Sequence, residues 1–321
     1  MTIKKTITAA ALLLVTAGAV AQTPRIKFEV NGLYPEGTVF NPSKNVFYVS
    51  SVIDGTIGVV DIQGNYTKMY EDKSLKSTYG MKIDTKHNRL WICVSDANYS
   101  NYSDSTTFKK SGKLIALDLS SGKKVADVEL AKLYKGKHFV NDMVFDGSGN
   151  LYVTDAFSPV IYKVDASGKA SVFVNNDLFK GEDVGLNGIA YNPQGYLLVD
   201  DSRTGSVYKI NIANPKNIQK VKISNFFPGA DGLVMQDANT LLLIQNQGVD
   251  KIFKLESTDN WASAKIKAAT SGEDRFQHPS TGTLANGKLY VLNSKMNELA
   301  DPTKKPSKDF SLQVAEFKPM P

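Results

Sequence analysis

One pattern recurs six times along the chain, and it decides what the chain can fold into. A small polar dipeptide precedes an alternating strand, a tight turn, and a second apolar strand. The copies read PEGTVFNPSKNVFYVSS from Pro35, YGMKIDTKHNRLWICVSD from Tyr79, and NDMVFDGSGNLYVTDA from Asn141. The other three are NGIAYNPQGYLLVDDS from Asn187, DGLVMQDANTLLLIQN from Asp231 and TGTLANGKLYVLNS from Thr281. A third strand, and usually a fourth, follows most copies, as in GTIGVVD then YTKMY, or VIYKVD then ASVFV. Four short antiparallel strands at a period of roughly 45 residues, with no amphipathic helix, predict an all-β chain: a six-bladed β-propeller of four-stranded antiparallel blades.

The last copy supplies only three strands, ending in LQVAEF (Leu312 to Phe317). RIKFEV (Arg25 to Val30) lies before the first copy and is the candidate for the missing outer strand. Pairing it there closes the ring and hides two exposed sheet edges.

With 42% hydrophobic and 22% charged residues, the 321-residue chain has the make-up of an ordinary folded domain. Its formal net charge of +6 is spread along the sequence, which gives no case for a nucleic-acid partner. The single cysteine, Cys93, excludes an internal disulfide and any zinc site built on several thiolates. His87, His138 and His278 show no HxxxH spacing, so a bound metal must be held mostly by oxygens. Lys4 and Lys5 precede an apolar run from Ile7 to Val20, and Ala19-Val20-Ala21 supplies a small–x–small cleavage site. Residues 1–21 therefore read as a secretory signal peptide and 22–321 as the propeller. The expected location is periplasmic or secreted, with no stable membrane anchor after cleavage.

Propeller topology places the six dipeptides, and the loops after each second strand, at one mouth of the central channel. The threshold residues are Glu36, Tyr79, Asn141, Asn187, Asp231 and Thr281. Two carboxylates and two carboxamides among them match a hard cation such as Ca²⁺, which takes six to eight oxygens in irregular geometry. The competing reading is repeated turn chemistry, since Asn-Gly and Asp-Gly are common turn pairs. Asp155, Asp200 and Asp201 end second strands at the same mouth. His138, Phe139 and His278 lie close to thresholds, and with Tyr79, Thr281, Asp155 and Asp201 they are the candidate substrate contacts. The long loops over residues 95–113 and 293–311 are candidate lids.

The segments PEGTVFNPSKNVFYVSS, NDMVFDGSGNLYVTD, LNGIAYNPQGYLLVDDS and GADGLVM resemble the senescence marker protein-30/gluconolactonase/luciferin-regenerating enzyme family. The resemblance spans essentially the whole chain after the leader. It implies a divalent ion, usually calcium, held by Glu36, Asn141, Asn187 and Asp231. It also implies hydrolysis of lactones or phosphoesters, with Asp231 as base or nucleophile. Sugar lactonases of that family often carry an arginine where Phe139 stands, so the resemblance does not extend to a sugar-acid contact.

The expected function is thus a calcium-dependent hydrolase of small lactones or related esters. The alternative is a non-catalytic propeller binding a protein, peptide or glycan at its mouth. No GxSxG, HExxH or CxxC is present. Gly282 to Lys288 matches GxxxxGK only by chance, because it falls in a hairpin and Leu289 stands in place of Ser or Thr. Cys93, inside LWICV, reads as a buried, inert thiol.

Overall fold

The computed structural model describes residues 24–320. The leader expected over residues 1–21 lies outside them. Six antiparallel sheets are arranged in sequence order, and each begins at a threshold dipeptide. Blade one comprises Thr38–Asn41, Val46–Val49, Thr56–Asp61 and Tyr66–Glu71. Blades two to five repeat this order from Ser77, Val140, Leu186 and Ala230. The innermost strand of each blade packs against those of both neighbours, and the first packs against the sixth, so the ring is closed.

Closure uses the strand the sequence pointed to. Arg25–Glu29 pairs antiparallel with Asp309–Val314 as the outer strand of blade six, whose inner strands are Pro279–Ala285 and Lys288–Asn293. Phe28 is fully buried there, 6.1 Å from Phe310 and stacked 6.3 Å from Tyr66 of blade one. A short C-terminal strand, Lys318–Pro319, goes past blade six and adds a fifth strand to blade five, against Ala268 and Ala269.

The glycine of the dipeptide has a reason that local turn chemistry does not supply. A Cβ on Gly37 would lie 2.0 Å from the Tyr79 carbonyl oxygen, and one on Gly188 would lie 2.1 Å from that of Asp231. Neighbouring innermost strands approach so closely at the mouth that only a hydrogen fits between them. Blade three departs from the rule with Asp142. Its carboxylate occupies the space left by Gly80, whose Cβ would meet Asp142 Oδ1 at 2.6 Å.

Candidate functional site

In five of the six blades the register between the first two strands slips at the threshold, for example between Val140 and Met143, and between Leu186 and Ile189. Bulges of this kind re-aim a side chain out of the strict inward–outward alternation. Here they free the threshold residues from the ladder.

Glu36, Asn141, Asn187 and Asp231 line one cavity of about 210 Å³ at the mouth, together with Tyr79, Phe139 and His278. All four oxygen-bearing residues are buried. The backbone of Glu36 is fixed from two sides. Its N–H and that of Gly37 donate to Ser50 Oγ, and its carbonyl accepts from Ser280 Oγ of blade six at 2.7 Å.

Three of the side-chain oxygens are left without donors among the described residues. Glu36 Oε2, Asn141 Oδ1 and Asn187 Oδ1 are buried and have no hydrogen-bond partner. Buried oxygens without partners are costly and rare in folded proteins, so these three, like the buried Tyr79 hydroxyl of the same wall, call for a bound hydrogen-bonding group or a cation. Burial drives the Glu36 carboxyl well up, reinforced by the Asp231 and Asp142 charges and opposed by Lys82. Asp231 is raised to about 8, again mainly by burial, while hydrogen bonds from Asn246 and Asn187 pull the other way. A divalent cation would relieve both the repulsion and the unmatched oxygens, and the hard, mixed carboxylate–amide donor set suits calcium. Among the described residues no three His, Cys, Asp or Glu side chains gather as metal ligands, so a cation here depends on the amide oxygens.

Below this belt the channel holds Asp142 and Asp200. Lys82, which reaches up from a second cavity at the far end of the channel, sits 3.6 Å from Asp142. Asp200 accepts from the Gly188 N–H at 3.0 Å, and its other oxygen is buried and unpartnered.

Other expected contacts are placed elsewhere. His138 Nδ1 is 2.7 Å from Asp155 Oδ2, with the Tyr162 hydroxyl 3.2 Å from the same oxygen, and Asp155 Oδ1 accepts from the Phe139 N–H. His138 and Asp155 therefore form a buried knot that holds Phe139 in position, and neither lines the cavity. Asp201 is paired with Arg203 at 2.8 Å and caps the Thr204 N–H. Thr281 packs against Gly232 and is not part of the cavity wall. Tyr79, Phe139 and His278 do line it. His278 adopts a left-handed backbone (φ 51°), and burial lowers its imidazole pKa despite the nearby Asp250.

Several wall residues escaped sequence reasoning. Asn246 and Gln247 follow the second strand of blade five, while Asn98 and Tyr99 enter from one long loop and Met296 and Asn297 from the other. The rule that second strands end at the mouth would have found Asn246. The first loop is tethered: Asp96 Oδ2 accepts from Ser103 Oγ and Thr107 Oγ1.

A cavity of about 800 Å³ lies on the opposite face between blades two and three. Its carboxylates are already engaged. Asp146 and Asp165 cap their own turns, and Asp127 is paired with Lys113 and Lys124. Cys93 is buried, and Gly282 to Lys288 runs through the hairpin of blade six.

The model of the Mala_s_1-like family, Mal s 1 allergenic protein-like, matches residues 16–277. The major allergen Mal f 1 of Malassezia furfur is 26% identical over 293 residues, covering 82% of this chain and 84% of the allergen. The crystal structure of the Malassezia sympodialis allergen Mala s 1 superposes with a TM-score of 0.70 at 22% identity, covering 91% of this chain and 96% of that one. Luciferin-regenerating enzyme superposes at 0.60 and 14% identity, covering 92% and 98%. The resemblance drawn from the threshold segments thus holds at the level of a related propeller, and the family that matches is a different one.

Proposed function

The chain belongs to the Mal s 1 allergenic protein-like family, and we propose that it is an exported, calcium-dependent hydrolase of small lactones or related esters, acting at the channel mouth. The observation that carries this reading is the set of unpartnered oxygens of Glu36, Asn141 and Asn187 around one cavity with Asp231.

When bound, the cation supplies Lewis-acid polarisation of the substrate carbonyl. The chain's own residues supply the rest. Asp231, oriented by the Asn246 amide, accepts a proton from the attacking water. Water adds to the acyl carbon, the bond to the alkoxy oxygen breaks, and that oxygen leaves with a proton. The product acid then ionises. Tyr79 and Phe139 pack edge to face at 4.6 Å and wall the cavity against solvent.

The exposed apolar side chains of the mouth face, Phe108, Leu133, Leu178 and Phe226, favour the second reading, a propeller that docks a protein, peptide or glycan without turnover. Calorimetric calcium titration, followed by a lactone and aryl-ester panel on wild type, Glu36→Gln and Asp231→Asn, separates the two. Calcium-dependent turnover lost in both variants supports the hydrolase. Calcium binding without turnover supports docking, and turnover unchanged in both variants removes the site.

A further inference from the structure

The cavity wall is divided by chemistry. The aromatic rings of Tyr79, Tyr99 and Phe139 all face it from blades two and three, with Asn98 beside them, while Asn246, Gln247 and His278 face it from blades five and six, with Met296 and Ala300 beside them. Among the described residues no lysine or arginine lines it. The cations closest to hand are committed elsewhere. Lys109 lies over the Phe157 ring at 4.9 Å, Lys295 donates to the Asp309 carbonyl at 2.8 Å, and Lys82 is paired at 3.6 Å with Asp142 beneath the belt.

From this we infer that the cavity takes a neutral ligand, an ester or lactone carrying one planar apolar group, and discriminates against sugar acids, phosphates and other anions. The inference rests on the hydrolase reading for the bond that is cut, but not for what the cavity holds. Glu36 and Asp231 match the charge of one divalent ion, which leaves no positive charge for a second anion. The aromatic wall presents ring faces and edges that favour another ring. The Tyr79–Phe139 contact continues to Phe157 at 5.3 Å, which makes that wall rigid. A volume of about 210 Å³ is below the ~300–1,000 Å³ of pockets for drug-sized ligands, and admits roughly one ring with a short acyl group. The amides of Asn246 and Gln247 then face the polar end of the ligand.

Uncleavable probes test this by calorimetry, with and without calcium. They are acetanilide (the amide of a small aryl ester), gluconamide (polyhydroxylated, with no ring) and benzoate (the same ring as an anion). Acetanilide is expected to bind at least tenfold tighter than the other two and to lose at least fivefold in Phe139→Ala. Tyr99→Ala, on a loop where the side chain is 37% exposed, gives the same readout if Phe139→Ala does not fold. Equal or tighter binding of gluconamide or benzoate, or acetanilide binding untouched by Tyr99→Ala, overturns the inference. Turnover distinguishes the two levels. If acetanilide binds and phenyl acetate is not cleaved, the hydrolase reading falls and the ligand class stands. Calcium-dependent cleavage of a sugar lactone in preference to phenyl acetate does the reverse.

Discussion

Asn246 donates its side-chain amide to Asp231 Oδ2 across 2.6 Å, and to the Pro279 carbonyl across 3.1 Å. The carboxylate at the blade-five threshold is thereby tied to the second strand of its own blade and to the first strand of blade six. A hydrogen bond to a charged group contributes about 1.5–3 kcal/mol. Asn246→Ala should therefore weaken calcium binding by about tenfold or more while leaving the fold intact. Calorimetry checks the affinity, and an unchanged dissociation constant would show that Asp231 needs no tether.

Glu36→Gln should act in opposite directions on the two states. In the metal-free protein it removes a buried group set against Asp231 and Asp142, so melting should rise by about 2–4 °C for each ~1 kcal/mol of relief. In the presence of calcium the variant should lose most of the metal-induced rise. Paired thermal melts read both effects, and a variant that keeps the full rise would take Glu36 out of the ligand set.

The pH dependence follows from the raised carboxyls. Asp231, held up to about 8 in the folded state, falls back to about 4 when unfolded. Between those values the folded metal-free protein binds more protons, so its stability declines as pH rises through the window. At the proposed site calcium would bind the ionised form, so the gain in melting temperature on adding it should be larger at pH 8 than at pH 5. A calcium effect of equal size at both would contradict this.

Gly188→Ala drives a methyl group to 2.1 Å from the Asp231 carbonyl, a backbone atom that cannot swing away. The expected cost is about 1–3 kcal/mol of stability, typical of overpacking. Calcium affinity should fall with it, because Asn187 and Asp231 move apart. Denaturant unfolding with and without calcium measures both, and a neutral substitution would mean that the innermost strands have slack.

Phe28→Ala should cost about 3–5 kcal/mol, as for other fully buried aromatics. Urea unfolding reads the loss. A value near zero would show that the N-terminal strand decorates the ring without holding it.

The blades were legible because their signal is local and repeated. Alternation in segments such as GTIGVVD and VIYKVD gave strands at Thr56–Asp61 and Val160–Val164. The closing strand was legible by subtraction, since blade six lacked an edge. The strand at Lys318–Pro319 was not, because two residues carry no periodicity and its partner lies about fifty residues back. At the channel, the repeat position of Glu36, Asn141, Asn187 and Asp231 foretold their shared cavity. Nothing in the sequence separated His138 and Asp155 from it. Both were read at the mouth, but each satisfies the other inside the wall, and such pairing depends on depth. For the glycines after the thresholds the sequence offered only the competing reading of turn chemistry, whereas their cause is a contact with the next blade, which a local pattern cannot encode.

The pairing of Arg25–Glu29 with Asp309–Val314 also sets an order of events during synthesis. Arg25–Glu29 must wait, unpaired, until all the strands between it and its partner have followed it. A polypeptide interrupted anywhere before Phe310 keeps an open flank and an unburied Phe28, both recognisable to chaperones and proteases. Ring closure thus depends on both strands being present in one chain, and a polypeptide lacking either leaves the circle open.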